Sequence, residues 1–363
     1  MKSLPPFPWD RLAPYVDKAR AHPGGGVELS IGTPVDPVPE LIRNALAGAA
    51  DHPGYPLTAG TPELRAAIRD WVGRRCGARG EYSVLPTIGS KEFVAGLPSM
   101  LGLGGASAVA IPKLAYPSYE IGARLAGAKL VRVDHPSFGT ERRLRLIWVN
   151  YPANPTGEVL SAARLRKIVA WARSRGIIVV SDECYLTLGW ERQPVSILHP
   201  DVCGEDASGL LAVHSLSKRS NLAGYRAGFI AGDPALVDGL LTLRKHAGLI
   251  VPRPVQDAMA VALSDEEHAE RQRERYRARR ELLREALTQA GFRIDHSQAG
   301  LYLWASRDED CWETVDALAK VGVVVAPGEF YGPSGDRHVR VALTATDADV
   351  ATACERLAGL PQA

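Results

Sequence analysis

The chain has 363 residues, of which 46% are hydrophobic and 23% are charged, the balance of a globular protein. Its length suits one large domain and a smaller one. Lysine and arginine total 43 against 41 aspartates and glutamates, so the net charge of +2 gives no case for a nucleic-acid or anionic-membrane partner.

Short apolar runs alternate with longer helical patterns over the first 250 residues, which predicts an α/β fold with a mostly parallel sheet. The predicted strands are 107–111, 129–133, 144–149, 177–181, 210–215 and 227–231. The predicted helices are 62–75, 91–101, 116–126, 161–175 and 234–246. Glycines that follow several of these helices are typical helix stops.

The pattern changes after about residue 250. The run Ser264-Asp265-Glu266-Glu267 matches a capping box and predicts a long helix that ends near Gly291. Strands near 300–304, 321–326 and 338–343 and a last helix near 347–360 follow, as in a small α+β domain. We therefore predict three parts: an N-terminal arm that joins the small domain (1–30), a large domain (31–250) and a small C-terminal domain (251–363).

Arginine is frequent on the predicted long helix, with seven between residues 271 and 284. A nucleic-acid surface is one interpretation, and a solvated helix face is the other. Interleaved glutamates, such as Glu267 four residues before Arg271, favour the solvated face.

Cysteine and histidine give no sign of a metal site or a disulfide framework. The five cysteines are scattered, and the nine histidines form no H-x-x-x-H pair. This usage fits a reducing, cytoplasmic location. The chain opens without the apolar core of a secretory signal, and no apolar run is long enough to span a bilayer. We expect no metal and no membrane partner.

A lysine and an arginine stand close together in the run Ser215-Leu216-Ser217-Lys218, which Arg226 follows after eight residues. A lysine among serines is usually a surface charge. Pyridoxal phosphate (PLP), however, requires a lysine amine for its aldehyde and cations or helix N-termini for its phosphate. It also requires a carboxylate that keeps its ring nitrogen protonated.

Further motifs in a suitable order supply the other groups. Asp182 ends a predicted strand, and Tyr185 follows it in D-E-C-Y. Asn154 lies in the turn Asn-Pro-Thr-Gly, and Gly89-Ser90-Lys91 opens a helix whose N–H groups suit a phosphate. Tyr116 suits stacking on the ring. Each is equally explained alone as a cap, a turn or a core side chain, so only the combination points to PLP.

The combination of S-x-S-K…G-x-R-x-G with N-P-x-G…D-E-x-Y resembles the fold-type I PLP enzymes, specifically the class I/II aminotransferases. The similarity extends from about Leu29 to the C-terminus. It implies an α/β fold-type I PLP transferase with a mostly parallel seven-stranded sheet in the large domain and a smaller α+β domain. It also implies PLP, ping-pong transamination of small amino and keto acids, and a homodimer with active sites at the interface.

The resemblance implies a role for each matching residue. Lys218, Asp182 and Tyr185 form the implied catalytic set: the lysine bonds PLP and moves the Cα proton, the aspartate holds the ring nitrogen, and the tyrosine reaches the phenolic oxygen. The other implied contacts are Asn154 for that oxygen, Ser90, Lys91 (through its backbone), Ser215, Ser217 and Arg226 for the phosphate, Tyr116 for the ring, Tyr55 from the other subunit for the phosphate, and Gly32, Asn154 and Arg340 for the substrate. Arg340 is the implied partner of the substrate α-carboxylate.

Three segments, 4–10, 29–39 and 54–60, resemble the actinobacterial N-succinyldiaminopimelate aminotransferases. This implies a role in lysine and diaminopimelate biosynthesis, with glutamate and 2-oxoglutarate as the second pair. A substrate with additional carboxylates needs a further cation in the pocket. Arg253 and Lys113 are candidates, and each is equally explained as a surface charge.

Other functions share parts of this pattern. Another class I/II aminotransferase of a secondary pathway, or a PLP-dependent lyase, decarboxylase or cyclase, would keep the same cofactor residues. A PLP-binding regulator carries an N-terminal DNA-binding module, and we do not expect one here because only about thirty residues precede Gly32. A nicotinamide enzyme is disfavoured because the glycine-rich run 102–107 lacks the third glycine of the dinucleotide fingerprint.

Overall fold

A computed structural model describes residues 4–134 and 141–360; residues 1–3 of the predicted arm and 361–363 of the predicted small domain lie outside it. The strands of the described chain are β1 (Val27–Glu28), β2 (Ser83–Ile88), β3 (Ala108–Pro112), β4 (Lys129–Val133), β5 (Leu144–Asn150), β6 (Ile178–Asp182), β7 (Leu210–Ser215), β8 (Ala227–Gly232), β9 (Arg293–Asp295), β10 (Tyr302–Ser306), β11 (Val323–Val324), β12 (Ala326–Pro327) and β13 (Val339–Ala342). The helices are α1 (Ala13–Arg20), α2 (Glu40–Gly48), α3 (Pro62–Trp71), α4 (Gly89–Met100), α5 (Ser118–Ala126), α6 (Ala162–Arg173), α7 (Pro200–Cys203), α8 (Leu216–Arg219), α9 (Pro234–Ala247), α10 (Arg253–Ser264), α11 (Glu267–Gln289), α12 (Cys311–Lys320) and α13 (Asp347–Leu357).

The larger sheet has seven strands in the order β2-β8-β7-β6-β5-β3-β4. Strands β7, β6, β5, β3 and β4 are parallel, and β8 is antiparallel to both of its neighbours. The prediction of a mostly parallel seven-stranded sheet is therefore confirmed. Every residue of β7 and β8 is buried because apolar side chains cover both faces of the sheet.

The parallel direction brings polar side chains together at one edge of this sheet. Strand β5 ends at Asn150, β6 at Asp182 and β7 at Ser215. Asn150 is opposite Asp182 in the ladder, and Asp182 is opposite Val213. The carboxyl ends of neighbouring parallel strands are the usual place for a ligand in such sheets.

A second, antiparallel sheet has the order β12-β13-β10-β9, and β1 pairs in parallel with β11. Its core joins residues of the C-terminal third to Leu12 and Ala19 from the N-terminal segment. This packing agrees with an arm that joins the small domain. The boundaries at residues 30/31 and 250/251 stay predictions.

The prediction that Ser264 caps the long helix is wrong. Helix α10 extends to Ser264, whose hydroxyl donates to the carbonyl of Ala260 at 2.9 Å. Asp265 takes the capping role, because its Oδ2 accepts a hydrogen bond from the N–H of His268 at 3.0 Å. Strand β2 was not predicted because Pro86 interrupts it, and helix α10 was not predicted because Pro254 lies in its first turn.

The arginines of α11 are paired with carboxylates. The prediction of a solvated face holds for exposed members such as Arg271 and Arg284 but is wrong for Arg279 and Arg280, which are buried. Arg273 pairs with Glu270 at 2.6 Å, and Arg279 pairs with Asp36 at 2.7 Å. Arginines 271, 275, 277, 280 and 284 also have carboxylate partners. No helix in the described part of the chain is both long and apolar enough to cross a membrane.

Candidate active site

A cavity of about 1360 Å³ opens at the carboxyl edge of the large sheet. Its lining brings together all but one of the residues that the family resemblance implies for the site: Gly32, Ser90, Lys91, Tyr116, Asn154, Asp182, Tyr185, Ser215, Ser217, Lys218, Arg226 and Arg340. The exception is Tyr55, which is fully exposed in the single chain. Asn150, Tyr119, Cys184 and Tyr302 also line the cavity and were not predicted.

Asp182 is a buried carboxylate at the end of β6. Its Oδ2 accepts a hydrogen bond from the hydroxyl of Tyr119 at 2.7 Å, and its Oδ1 accepts one from the N–H of Cys184 at 3.2 Å. Burial raises the pKa of Asp182, and these hydrogen bonds lower it in part. No ion pair joins Asp182 to a cation among the described residues. The carboxylate therefore suits a ligand that brings a positive charge.

Asn150 fixes the turn that carries Asn154. Its amide nitrogen donates to the carbonyl of Asp182 at 2.9 Å, and its Oδ1 accepts from the N–H of Asn154 at 2.8 Å. The side chain of Asn154 then accepts a hydrogen bond from Arg340 at 2.9 Å. The ends of β5 and β6 and the small-sheet strand β13 thus meet through one polar network.

Lys218 lies on α8, the single turn of helix that follows β7. The Ser215 hydroxyl caps this turn by accepting from the N–H of Ser217 at 3.1 Å. Burial lowers the pKa of Lys218, and the positive charges of Arg226 and Arg340 lower it further. A lysine in this setting is neutral more often than a surface lysine, which makes its amine a better nucleophile and base.

The start of α4 and Arg226 form a cradle around a glycine. A Cβ at Gly89, where φ is +69°, would be 2.4 Å from Nη2 of Arg226. A Cβ at Gly228 would be 3.0 Å from the backbone N of Ser90. Only glycines allow this close approach, which combines a guanidinium with the free N–H groups of a helix N-terminus. The cradle suits a phosphate.

Arg340 is a buried guanidinium without a carboxylate partner among the described residues. It donates to Asn154 Oδ1 and, at 2.6 Å, to the carbonyl of Ser30, while its Nε has no hydrogen-bond partner in the described chain. It lies 3.8 Å from the ring centre of Tyr302, whose hydroxyl is 3.2 Å from that of Tyr185. A Cβ at Gly32 would be 2.2 Å from the Tyr302 hydroxyl. The site is therefore open to a carboxylate on the side of Arg340.

Arg253 and Lys113, the two candidates for a distal carboxylate, do not line the cavity. Arg253 pairs with Asp257 at 2.7 Å, and Lys113 forms an ion pair with Asp134. Both are surface ion pairs of the single chain.

The comparisons with known proteins agree with this geometry. The family model "Aminotransferase class I and II" matches residues 25–357. The chain belongs to the class I and II aminotransferases. This aminotransferase is 56% identical to the 4-dedimethylamino-4-oxo-anhydrotetracycline transaminase OxyQ of Streptomyces rimosus, over 98% of the chain and 100% of OxyQ. It is 57% identical to a probable aminotransferase of Mycobacterium tuberculosis, over 98% of the chain and 85% of that protein.

A solved structure shares the fold. A probable N-succinyldiaminopimelate aminotransferase from Thermus thermophilus superposes on the enzyme with a TM-score of 0.88 and 27% identity, over 97% of this chain and 100% of that chain. The enzyme is a PLP-dependent aminotransferase with the α/β fold of fold-type I.

The residues present fit PLP. The uncompensated carboxylate of Asp182 suits a protonated ring nitrogen, the cradle at Gly89 and Arg226 suits the phosphate, and the buried amine of Lys218 suits the aldehyde. The sequence predicted these residues because PLP requires a lysine, a phosphate-binding cation and a carboxylate, and because they lie in the motifs of the family resemblance. Tyr119 and Tyr302 were not predicted, because a tyrosine inside a helix or a strand is usually interpreted as a core residue.

Proposed function

We propose that this aminotransferase acts on N-succinyl-LL-2,6-diaminopimelate, with 2-oxoglutarate and glutamate as the second pair, in lysine and diaminopimelate biosynthesis. We further propose a cytoplasmic homodimer. The observation that carries the reaction class is Arg340, a buried cation that faces the cavity and lacks a carboxylate partner among the described residues. Burying an unpaired charge is costly, so the site is completed by an anionic group of the substrate.

The α-carboxylate of an amino acid suits Arg340 because a guanidinium presents parallel N–H groups to two oxygens. The hydrogen bonds to Asn154 and Ser30 fix the guanidinium plane. Tyr302, which lies against that plane at 3.8 Å, limits its movement. The substrate is thereby held with its Cα near the amine of Lys218, which lines the same cavity.

Four side chains of the cavity then move a proton, hold a charge or orient an oxygen atom. Bound PLP supplies the electron sink for the reaction. Lys218 takes the proton from the substrate Cα through its amine, whose lowered pKa favours the neutral, basic form. Asp182 holds the positive charge at the ring nitrogen, and Asn154 and Tyr185 orient the phenolic oxygen. These roles are proposals for this chain.

The cavity also offers cations to a long substrate that carries more than one acidic group. Arg11, Lys91 and Arg132 line it. Arg11 pairs with Glu329 at 3.3 Å and Arg132 pairs with Glu120, whereas Lys91 lies 5.7 Å from the ring centre of Phe7. Of the three, the ammonium of Lys91 has the fewest competing carboxylates, and we assign it to the distal carboxylate in place of Arg253 and Lys113.

A second candidate substrate is a polycyclic ketone. OxyQ, named as an anhydrotetracycline transaminase, is 56% identical to this chain over its whole length. The cavity also has an aromatic wall at the arm, where Trp9 lies 5.2 Å from Phe330 and 6.5 Å from Tyr331 between ring centres. Such a wall suits a flat ring system.

The homodimer is supported by the exposure of Tyr55. Its side chain is fully exposed, and Leu57, Ile31 and Val35 are further exposed apolar side chains of the N-terminal part of the chain. Exposed apolar side chains of this kind mark interfaces. In the proposed dimer Tyr55 reaches the phosphate of the partner's PLP.

The experiment is a visible absorption spectrum of the purified enzyme before and after addition of each amino donor: N-succinyl-LL-2,6-diaminopimelate, L-glutamate and the 4-amino counterpart of 4-dedimethylamino-4-oxo-anhydrotetracycline. The yellow PLP band should bleach with the first two. Bleaching with glutamate and the tetracycline amine alone would replace the diaminopimelate assignment with the second candidate. Bleaching with none of them would overturn transamination in favour of another PLP reaction.

A further inference from the structure

Three titratable side chains meet beneath the floor of the active site. His214 Nε2 lies 3.7 Å from Sγ of Cys76 and 3.6 Å from Oε2 of Glu183. All three residues are buried, and their ligand atoms lie within 4.8 Å of one another. None of them lines the cavity. We refer to these three residues as the Glu183 cluster.

The cluster lies directly behind two elements of the proposed cofactor site. Glu183 follows Asp182 at the end of β6, and His214 precedes Ser215 at the end of β7. Successive side chains of a strand point to opposite faces of the sheet. Asp182 and Ser215 therefore face the cavity, while Glu183 and His214 face away from it and toward each other.

The backbone of these strand ends is paired as well. Asp182 is opposite Val213 in the ladder, and the N–H of Glu183 donates to the carbonyl of Val213 at 2.9 Å. The Glu183 and His214 side chains also pack against each other at the last paired position, with Oε2 and Nε2 3.6 Å apart, which is a packing contact and not a hydrogen bond. Cys76 extends it to the segment that follows α3.

Aromatic rings and a backbone N–H group surround the cluster. The rings of Trp71 and Phe229 each lie 5.0 Å from the ring of His214. Glu183 Oε1 accepts a hydrogen bond from the N–H of Ile197 at 2.7 Å. Oε2 of Glu183 and Nδ1 of His214 have no hydrogen-bond partner in the described chain. Such a cluster tolerates little change in charge or position.

We propose that Glu183 and His214 are positioning residues, whose contact fixes the ends of β6 and β7 and so sets the placement of Asp182 and Ser215 toward PLP. The inference rests on the proposed roles of Asp182 and Ser215 in the cofactor site. It does not depend on the identity of the substrate.

The pH dependence follows from the charges that face Glu183. Burial raises its pKa to about 7 and lowers the pKa of His214 to about 3, so at neutral pH the imidazole is uncharged. The thiol of Cys76 and the carboxylate of Asp182 add no positive charge. Arg219, which lines a small void together with Glu183 and His214, is paired with Glu266 at 2.9 Å. An ionised Glu183 would therefore have no counter-ion of its own.

The sign is set by the raised pKa of Glu183. The contribution of Glu183 to the free energy of unfolding is fully present below the ordinary pKa of a glutamate and is lost as the pH rises through about 7. We expect the ends of β6 and β7 to loosen over that range. PLP should then bind more weakly at alkaline pH.

The test compares the wild type with Glu183→Gln, which keeps the acceptor for Ile197 and cannot ionise. The dissociation constant of PLP is measured by absorbance from about pH 5.5 to about pH 9, together with the melting temperature of the apoenzyme. The wild-type constant should rise about tenfold more across this range than that of the variant, since one unit of pKa corresponds to a factor of about ten. The exposed Glu313→Gln is the matched control and should follow the wild type.

Two further outcomes decide the inference. His214→Gln should weaken PLP binding about tenfold below about pH 7, where the wild type keeps the contribution of Glu183, and less above it, where that contribution is already lost; it also provides a test if Glu183→Gln fails to fold. Superimposable pH profiles for wild type and Glu183→Gln, or wild-type PLP binding by His214→Gln, would refute the positioning role. Stoichiometric zinc in the purified holoenzyme, lost in both variants, would replace it with a metal site made of Cys76, Glu183 and His214. Spectral bleaching by amino donors is measured separately, so failure here leaves the substrate proposal untouched.

Discussion

The hydroxyl of Tyr119 donates a 2.7 Å hydrogen bond to Oδ2 of Asp182 in the buried floor of the active site. This hydrogen bond stabilises the ionised form of a carboxylate whose pKa burial raises. Tyr119 also stacks on Trp148, with ring centres 4.9 Å apart, so its hydroxyl is rigidly placed. In the proposed site it links the packing of α5 on the sheet to the charge that Asp182 would present to PLP.

Tyr119→Phe should therefore slow transamination and weaken PLP retention. A hydrogen bond to a charged group contributes about 1.5–3 kcal/mol, so we expect a loss of about tenfold or more. The ring and its packing remain, which keeps the fold intact. Half-reaction rates and the PLP dissociation constant provide the measurement. Tyr82→Phe, which removes a surface hydrogen bond to the Arg69 carbonyl, is the control. A wild-type rate in Tyr119→Phe would show that Asp182 needs no such support.

Lys218→Ala should abolish turnover and leave the fold intact. The amine has no ion-pair partner among the described residues, while the backbone carbonyl, which accepts from the Tyr276 hydroxyl at 3.2 Å, is kept. The variant should lose the yellow band of lysine-bound PLP and melt within a few degrees of the wild type. Lys245→Ala, on α9, serves as the control. Normal transamination by Lys218→Ala would contradict the assignment.

The sequence predicted the parts of the site that lie at the ends of strands. Asp182, Asn154 and Ser215 each follow an apolar run, and parallel strands bring their ends to one edge. Tyr119 could not be found in this way, because its apolar ring occupies a core position of α5 and only the folded chain brings its hydroxyl to Asp182. Tyr302 is similar: it reads as a core residue of β10 until β13 places Arg340 against its ring.

The partner subunit marks the other limit of prediction, because no pattern in one chain shows what an exposed residue touches. Tyr55→Phe should weaken PLP retention only through the partner. Mixing Lys218→Ala chains with Tyr55→Phe chains tests this directly. In the proposed dimer, one of the two mixed sites combines an intact Lys218 with an intact Tyr55 and regains wild-type retention and rate. A mixture no more active than Tyr55→Phe alone, or a fully active monomer by sedimentation, would rule out the shared site.

Arg340→Lys should raise the KM for amino acids far more than it lowers kcat. Lysine keeps the charge but cannot give two parallel N–H bonds to a carboxylate or hold both Asn154 and Ser30. Loss of a buried paired charge interaction costs about 2–5 kcal/mol, so we expect KM to rise at least about thirtyfold. An amine without a carboxylate is the control substrate, and its rate should change little. Equal losses for both substrates would mean that Arg340 supports the fold or PLP rather than the α-carboxylate.

Glu92 and Arg244 should stabilise the phosphate cradle from behind. Arg244 is fully buried and donates to both oxygens of Glu92, at 2.9 and 3.1 Å, joining α9 to the first turn of α4. Glu92→Ala leaves the arginine buried without a counter-ion, which should cost about 3–5 kcal/mol of unfolding free energy. Because Gly89 and Ser90 open the same helix, PLP should also bind less tightly to Glu92→Ala.

Two further variants test this prediction. Replacing both Glu92 and Arg244 with leucine should recover much of the lost stability, since buried ion pairs are often exchanged for apolar residues at little cost. Glu270→Ala, which breaks an exposed pair with Arg273, should cost less than about 1 kcal/mol. Urea unfolding of the wild type, Glu92→Ala, the double leucine variant and Glu270→Ala measures the free energy of unfolding of each protein. Equal losses for Glu92→Ala and Glu270→Ala would show that burial adds nothing to the pair of Glu92 and Arg244.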